Sequence, residues 1–412
     1  MRRVLVGLLF FAVLTAWRAD RAGDWAFEAG VFALAAVWAV WSVRRTEAVG
    51  WPVVLAVPAG AAAIGCLQLF AGTTVYRFET VAGALEWGAY FAVAFLAAQL
   101  YREHEARAGL RHAMVYFAFV VAVVSVMQLF TAEGKVFWLF PTKYTTFVMG
   151  PFVNRDHYSC FIELALPAAV VEALSRRRNR AAYAAMAAAM FASVIAGASR
   201  AGSAIVMAEV AVLAVGWGQA ALPARRRRAS GQRGLFRGGL SRFAALAVMA
   251  AVFTAVVGWE VLWQRFQEKD PYKFRADIAM AAIDMGRARP AAGFGLGTFQ
   301  AAYRGYETFD SGMTINHAHN DWLEWLTEGG WPLAGLMAFA ALWSVRAAWR
   351  SPWALGVPAV FVHGLVDYPL HTVAVSAWLF AIAGAAAAAS AREKHAREDG
   401  SKKSLDPAGE AV

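Results

Sequence analysis

Long apolar runs are the feature of this sequence that most constrains its fold. Runs of roughly 17–25 mostly apolar residues recur along the chain, and each is long enough to cross a bilayer as a helix. With a mean hydropathy of +0.45 and 59% hydrophobic residues, the chain is too apolar for an ordinary soluble protein. We predict an all-α integral membrane protein with about twelve transmembrane helices. The predicted spans are 4–17, 25–43, 51–70, 80–101, 112–131, 158–174, 181–199, 201–219, 243–259, 322–345, 353–366 and 372–390.

The basic residues cluster at alternate ends of these spans, and the loops between the clusters are nearly balanced in charge. This positive-inside pattern predicts that both chain ends face the cytoplasm. The formal net charge of +10 therefore orients the protein in a lipid bilayer, and we do not expect a nucleic-acid partner. The clusters are Arg2–Arg3, Arg44–Arg45, Arg102 with Arg107 and Arg111, 176–178 with Arg180, 225–228, and Arg346 with Arg350.

Two long connections fall on the outer face in this orientation, residues 132–157 and about 260–321. Loops longer than about 15 residues are usually functional or disordered, and the second one carries an amphipathic helical pattern over 272–286. We predict a polytopic membrane domain over 1–390 with a large external loop at about 260–321. The polar segment 391–412 has no periodicity and is predicted to be a disordered cytoplasmic tail.

Several chemistries can be weighed in the external loop. GFGLGTF has the spacing G-x-G-x-G and no surrounding βαβ unit, so a tight turn is favoured over a nucleotide site. His317 and His319 in HAH could bind a metal, but they lack the carboxylate or cysteine spacing of a metal motif, and we predict no metal. Cys66 and Cys160 lie within predicted spans, so a structural disulfide is not expected.

Two arginines lie at the outer ends of predicted helices, Arg200 in GASRAGSAIV and Arg275 in the amphipathic segment. A guanidinium group binds phosphate oxygens in a bidentate manner, so the pair could hold a diphosphate. The alternative is a salt bridge to a carboxylate such as Glu86 or Glu163, and the residues alone leave both possibilities open.

Other charged groups within the spans predict structure rather than chemistry. His363 and Asp367 are spaced i, i+4 in VHGLVDYPLH and are predicted to pair on one helix face. The sequence assigns no role to Glu28, Glu86, Glu163 and Glu209.

Five segments taken in order resemble the O-antigen ligase/polymerase superfamily, over about residues 115–385. They are GPFVNRDHYSCFIELALP at 150–167, SRAGS at 199–203, R-x-x-x-A…GFGLGTF at 275–299, HAHNDWLEWLTEGG at 317–330 and HGLVDYPL at 363–370. The element H-N-x-x-L-x-x-x-x-E-x-G, which begins at His319, is the most specific. One departure is Arg155-Asp156, where the family more often continues Asn154 as N-x-N.

The resemblance implies a glycosyltransferase in the bacterial inner membrane with its active site facing the periplasm. Members move a glycan from an undecaprenyl-diphosphate carrier to a hydroxyl of lipid A-core, of another glycan, or of a protein side chain. By resemblance, Arg200, Arg275 and His319 match the functional residues of the ligases. No cofactor is expected.

The chemistry of this transfer fits the same residues. A diphosphate leaving group gains negative charge, which Arg200 and Arg275 could stabilise without a metal. A histidine near a helix N-terminus tends to stay neutral, so His319 is a candidate general base for the acceptor hydroxyl. His317 is a second donor to phosphate or a capping residue. Asn320 and Asn154 are further candidates for substrate binding, and Asn316 or Asn320 could cap the helix that follows.

Alternative functions remain open at this stage. An O-antigen or exopolysaccharide polymerase and a protein O-oligosaccharyltransferase share the same signature, and the combination of SRAGS, GFGLGTF and HAHN favours a ligase. A polytopic transporter would also have many spans, but we would expect internal repeats and broken helices in both halves. An assembly factor would explain the layout but not the ordered set of arginines and histidine.

Overall fold

The computed structural model describes residues 1–46, 48–143, 147–175, 179–227, 244, 247–256, 258–267, 273–308, 312 and 314–405. Their regular structure is helical, with two isolated β-bridges in the loop between residues 136 and 152, so the all-α class is confirmed. The helices are α1 (Arg2–Leu14), α2 (Ala22–Arg45), α3 (Ala56–Ala71), α4 (Arg77–Leu100), α5 (His104–Thr131), α6 (Arg155–Ser175), α7 (Arg180–Ala196), α8 (Arg200–Arg227), α9 (Ala247–Val256), α10 (Glu260–Phe266), α11 (Lys273–Ala288), α12 (Phe299–Tyr303), α13 (Asp321–Arg350), α14 (Gly356–His363) and α15 (Val373–Leu405).

Apolar helices identify a membrane protein, although fewer of them meet a strict length criterion than the sequence predicts. Each predicted span overlaps one of the helices above. Among the described residues, six helices are long and apolar enough to cross a membrane: α2, α3 with the turn before it, α4, α5, α6 and α13. A seventh span results if α9 and α10, which meet at 90°, count as one. Three apolar helices are shorter, α7, α14 with the turn before it, and the first part of α15. The number twelve stays a prediction.

Helix α6 lies at the centre of the bundle. It packs against α5, α7, α8, α14 and α15, and 89% of its most apolar window is buried. A helix that is apolar on all sides can be surrounded by other helices, which explains why α6 rather than a more amphipathic helix occupies this position. Its N-terminal residue Arg155 lines a cavity that is also lined by Arg275 of α11.

The amphipathic helix predicted at 272–286 is confirmed as α11. Its buried residues Ile278, Ala281, Ala282 and Met285 follow the helical repeat and form one face. This face belongs to a small apolar cluster that also contains Phe294, Phe299 and Tyr303, and α11 packs against α13. The described residues 273–303 of this segment therefore form helices and a turn packed on α13 and not an irregular loop.

The glycine-rich stretch forms the predicted tight turn. Gly293 has φ +64°, and a Cβ there would lie 2.3 Å from the carbonyl oxygen of Glu328. Gly295 has φ +120° and is equally close to Thr74. Glycine alone combines a positive φ with this close approach, so the turn lies directly on α13 and on the start of α4.

Parts of the predicted layout lie outside the described residues or extend beyond their predicted limits. The basic residues 176–178 and 228 and the tail residues 406–412 lie outside the described part of the chain. Helix α15 continues to Leu405, well past residue 390, where the membrane domain is predicted to end. The disorder of the segment 391–412 stays a prediction.

Reporter fusions test the predicted orientation. A truncation fusion after Arg180 should report a cytoplasmic location, because that site follows a basic cluster, and a fusion near Gly295 should report a periplasmic location. Alkaline phosphatase and green fluorescent protein activities measure the two outcomes. A cytoplasmic signal at Gly295 would contradict the orientation and the site assignment that depends on it.

Candidate active site

The start of α13 fixes the two loop histidines. Asn320 is the N-cap: its Oδ1 accepts the backbone N–H of Leu323 at 3.0 Å, and its Nδ2 donates to the carbonyl of Leu365 at 2.7 Å. The capping role predicted for Asn320 is confirmed. Because both ends of this amide bind backbone groups, the structure favours capping over the substrate contact that we also predict. His319 has φ +51°, in the left-handed region. The chain therefore turns at His319, directly before the N-cap residue Asn320.

His319 is held by a buried aspartate. Its Nδ1 lies 3.3 Å from Oδ1 of Asp367, whose side chain is 1% exposed, whereas the imidazole is 34% exposed. The other oxygen of Asp367 accepts a hydrogen bond from Nδ2 of Asn154 at 3.5 Å. A carboxylate on one ring nitrogen fixes the orientation of an imidazole and leaves the second nitrogen for a substrate. Asn154 therefore acts on the histidine through Asp367.

The surroundings of Asp367 keep its carboxylate ionised. Burial would raise the pKa of Asp367, but the hydrogen bond with His319 and the charge of Arg275 hold the pKa well below its usual value. Arg275 also binds this segment directly, because its Nη1 donates to the carbonyl of Val366 at 2.7 Å. An ionised Asp367 would stabilise a positive charge on His319.

His317 packs on the same tyrosine as His319. Its ring stacks on Tyr368 with centroids 4.0 Å apart, and the ring of His319 meets Tyr368 edge-on at 5.1 Å. Nδ1 of His317 lies 2.8 Å from Oε1 of the buried Glu324. Tyr368 therefore separates the two histidines, and each has its own carboxylate partner.

A third histidine lies beneath this pair among three acidic residues. Nδ1 of His371 is 2.7 Å from Oδ1 of Asp321, and Nε2 is 3.6 Å from Glu324 and 3.7 Å from Glu328. Burial alone would lower the pKa of His371, but these carboxylates raise it well above 6.5. His371 is therefore a cation that neutralises the acidic residues of the first turns of α13.

These groups open into a cavity of about 740 Å³. One side of it, which we call the cationic wall, consists of Asn154, Arg155, Arg265, Arg275, His317, His319 and Tyr368. The guanidinium of Arg155 lies over the ring of Phe147, 4.5 Å from its centroid. The family departure at Arg155-Asp156 thus adds one basic and one acidic residue to the lining of the cavity.

The structure brings most of the predicted residues together but places Arg200 behind them. Asn154, Arg275, His317 and His319 line the cavity. Arg200, at the start of α8, donates from Nη1 to the carbonyl of Arg265 at 3.0 Å, and Arg265 lines the cavity. The position of Arg200 supports a role in placing Arg265.

The ion pair predicted between His363 and Asp367 is wrong. Nδ1 of His363 lies 2.7 Å from Oε1 of Glu163, and both side chains are fully buried. The backbone N–H of Asp367 does donate to the carbonyl of His363 at 3.2 Å, but the side chain of Asp367 binds His319, so backbone spacing alone does not decide which side chains pair. Glu86 and Glu163 are the carboxylates that the sequence offers as salt-bridge partners for Arg200 and Arg275. In the structure, Glu163 binds His363, and Glu86 accepts the hydroxyl hydrogen of Tyr90.

Two side-chain groups in the described part of the chain have spacings that could suit a metal ion. They are Cys160 with Glu163 and His363, and Glu324 with Glu328 and His371. The HAH histidines belong to neither group. The absence of a metal at HAH stays a prediction, which a chelator tests below.

Sequence reasoning missed several residues of this site. Asp367 was assigned to another partner, and Tyr368, Glu324 and His371 were given no role. The acidic residues at i, i+3 and i+7 in DWLEWLTE were a signal, because Asp321, Glu324 and Glu328 share one face of α13 and require a buried cation.

The fold and the site define a membrane protein with a cluster of paired histidine and carboxylate side chains where the segment 314–321 meets the helical bundle. Comparison with known families adds a direct finding: residues 178–340 match the family model described as O-antigen ligase. This match confirms the resemblance to the O-antigen ligase superfamily. The family implies a ligase-type or glycosyltransferase enzyme with a glycan donor and acceptor. A search of curated proteins gives no match to this chain.

The matched segment contains only part of the site. It contains Arg200, Arg275, His317, His319 and Asn320. The residues that orient or neutralise them, Asn154, Asp367 and His371, lie outside it.

Substitution of His371 tests the charge balance beneath the site. His371→Gln should strongly lower stability, because it leaves the carboxylates of Asp321, Glu324 and Glu328 buried without a cation, a change that costs roughly 3–5 kcal/mol for a broken buried pair. The thermal midpoint of the purified protein in detergent is the measurement. His104→Gln, at the exposed start of α5, is the matched control and should leave the midpoint unchanged. An unchanged midpoint in His371→Gln would contradict this charge assignment.

Proposed function

We propose that the protein transfers a glycan from an undecaprenyl-diphosphate carrier to an acceptor hydroxyl, as a ligase acting on lipid A-core at the periplasmic face of the inner membrane. The observation that carries the proposal is the pairing of His319 with Asp367 beside Arg275 in one cavity. The O-antigen ligase match over residues 178–340 supports the reaction class.

The histidine would act as the general base. Nδ1 of His319 faces Asp367, so Nε2 is the nitrogen that would take the proton of the acceptor hydroxyl. The acceptor oxygen then forms a bond to the anomeric carbon of the donor sugar while the bond from that carbon to the phosphate oxygen breaks. The proton remains on His319, and the ionised Asp367 stabilises the imidazolium, so no further partner is needed for charge balance.

The arginines would stabilise the leaving group. The carrier diphosphate gains negative charge as its bond to the sugar breaks, and the cationic wall presents Arg155, Arg265 and Arg275 to it. Fixed cations in a site with little water stabilise such charge better than mobile solvent does. Arg200 contributes through the carbonyl of Arg265, which it binds.

Related functions differ in the acceptor and not in the site chemistry. A polymerase would use a second carrier-linked glycan, and a protein O-oligosaccharyltransferase would use a serine or threonine hydroxyl. The glycan profile of a strain lacking the protein separates these functions, because loss of a ligase leaves unsubstituted core together with accumulated lipid-linked polymer. Loss of a polymerase leaves chains of a single repeat.

Replacement of His319 tests the general base. His319→Ala should reduce transfer by about 10²–10⁴, the usual contribution of such a base, while the protein still inserts in the membrane. Asp367→Asn should also reduce transfer because it leaves the imidazole without its orienting charge. His317→Ala should have a smaller effect, since His317 contacts Glu324 and not Asp367. The measurement is transfer from purified undecaprenyl-diphosphate glycan by each purified variant.

Two results would contradict this assignment. Wild-type activity in His319→Ala would exclude a catalytic role for that residue. Loss of wild-type activity on addition of a chelator would contradict metal-independent transfer. It would favour a metal at one of the two groups described above, Cys160 with Glu163 and His363 or Glu324 with Glu328 and His371.

Charge-conserving substitutions test the arginines. Arg275→Lys should impair transfer although the charge is kept, because a lysine cannot reproduce the planar group that binds both a backbone carbonyl and phosphate. Arg200→Lys should also impair transfer, through the displaced segment around Arg265. Transfer rates at matched protein levels provide the test. Full activity in both variants would show that these arginines have a structural role only.

A further inference from the structure

The cavity has a second wall that the proposed chemistry does not use. It is formed by the turn between α1 and α2, the first turns of α2, and α4. Its polar and aromatic members are Arg18, Asp20, Arg21, Asp24, Trp25, Glu28 and Glu86. We call this side the acidic wall. It lies outside the segment that matches the O-antigen ligase family, so its chemistry is argued from the residues themselves.

The two arginines of the acidic wall are engaged by other acidic residues. Arg18 pairs with Asp20, with Nη2 2.7 Å from Oδ2. Arg21 pairs with Glu79, which does not line the cavity. Among the described residues, neither Asp24 nor Glu28 forms a hydrogen bond or an ion pair. The acidic nature of this wall therefore comes from three carboxyl groups, those of Asp24, Glu28 and Glu86.

Glu28 is the most informative of these residues. Its side chain lines the cavity, yet the residue is only 7% exposed. Burying a carboxyl group without a partner is costly, so such a group usually has a ligand or a charge to satisfy it. In the described part of the chain Glu28 has no hydrogen-bond or ion-pair partner, although the charge of Arg21 acts on it, and its side chain lines the cavity. Glu86 approaches from α4 and has one oxygen occupied by the hydroxyl of Tyr90.

The chemistry of the acidic wall suits a sugar. Carboxyl oxygens accept hydrogen bonds from hydroxyl groups, and charge-assisted bonds of this kind are stronger than neutral ones. Trp25, half exposed in the same wall, offers a large flat apolar surface for the C–H face of a sugar ring. Ionised carboxyl groups repel phosphate and uronate groups, whereas the arginines of the cationic wall attract them.

We propose that Asp24, Trp25, Glu28 and Glu86 form a subsite for a non-acidic, hydroxyl-bearing sugar of the acceptor glycan. This inference rests on the proposed transfer reaction. In that reaction the donor sugar is bonded to the diphosphate and must stay beside the cationic wall. The acceptor hydroxyl approaches His319 from the other side of the anomeric carbon, and the proposal assigns that side to the acidic wall, whose residues line the same cavity as His319.

Steady-state kinetics of Glu28→Gln and Asp24→Asn test the subsite. Each variant should raise the KM for a neutral acceptor oligosaccharide about tenfold, which corresponds to about 1.4 kcal/mol for one charge-assisted hydrogen bond. The KM for the carrier-linked donor should stay within about twofold of the wild-type value, because the cationic wall is intact. Glu133→Gln, an exposed carboxyl outside the cavity, is the matched control and should change neither constant.

A second comparison uses the charge of the acceptor. The wild-type protein should have a higher kcat/KM for an acceptor that ends in a neutral hexose than for the same acceptor ending in a uronate. Glu28→Gln should reduce the ratio of these two kcat/KM values. An unchanged acceptor KM in both variants would overturn the proposal. A rise in donor KM alone would also overturn it, because the acidic wall would then bind the donor glycan.

Direct binding separates this inference from the transfer reaction. Quenching of tryptophan fluorescence by the soluble neutral oligosaccharide should saturate with the wild-type protein and weaken in Glu28→Gln, and Trp25→Phe should remove most of the signal. Saturable binding without any transfer would retain the subsite and reject the reaction. Transfer by the wild-type protein without saturable binding would reject the subsite alone. If Glu28→Gln does not fold, Asp24→Asn, at a more exposed position, gives the same readouts.

Discussion

The site depends on the way the first residue of α13 is bound to the segment 364–371. The backbone N–H of Asp321 donates to the carbonyls of Gly364 and Asp367, at 2.8 and 3.1 Å. In return, the carboxylate of Asp321 accepts the N–H of Leu370 at 3.1 Å and binds His371. A Cβ at residue 364 would lie 2.8 Å from that carboxylate, so a glycine is needed for the close approach. These reciprocal bonds set the position of Asp367 relative to His319.

The helices and the outer helix α11 could be predicted because their signals are local. Apolar runs give the spans, and the repeat of Ile278, Ala281, Ala282 and Met285 gives the buried face of α11. The position of His319 next to a helix start could also be predicted, from the cap residue that follows it. Each of these inferences uses residues fewer than about eight positions apart, where helical geometry fixes the distance.

The partners within the site could not be predicted because they are distant in sequence. Asp367 is 48 residues from His319 and 213 residues from Asn154. Spacing in the sequence predicts His363 as the partner of Asp367, but His363 binds Glu163, which is 200 residues away, and Asp367 binds His319. The acidic wall comes from the first 30 residues and from α4, and only the packing of the bundle brings it into the same cavity as His319. No periodic pattern contains that information.

The glycine turn has a consequence for how specificity can change. Gln68 of α3 donates to the carbonyls of Ala292 and Glu328, and it accepts the N–H of Leu296. Thr80 of α4 donates to the carbonyl of Leu296 at 3.2 Å. This cross-brace connects the outer segment, which carries Arg275, to the helix pair that carries Glu86. The two elements are thereby held together by hydrogen bonds between the side chains of Gln68 and Thr80 and the main chain of the glycine turn and of Glu328. Helix α2 supplies Asp24, Trp25 and Glu28 without taking part in the brace, so its cavity-facing residues can be exchanged for a different sugar while the reacting groups keep their separation.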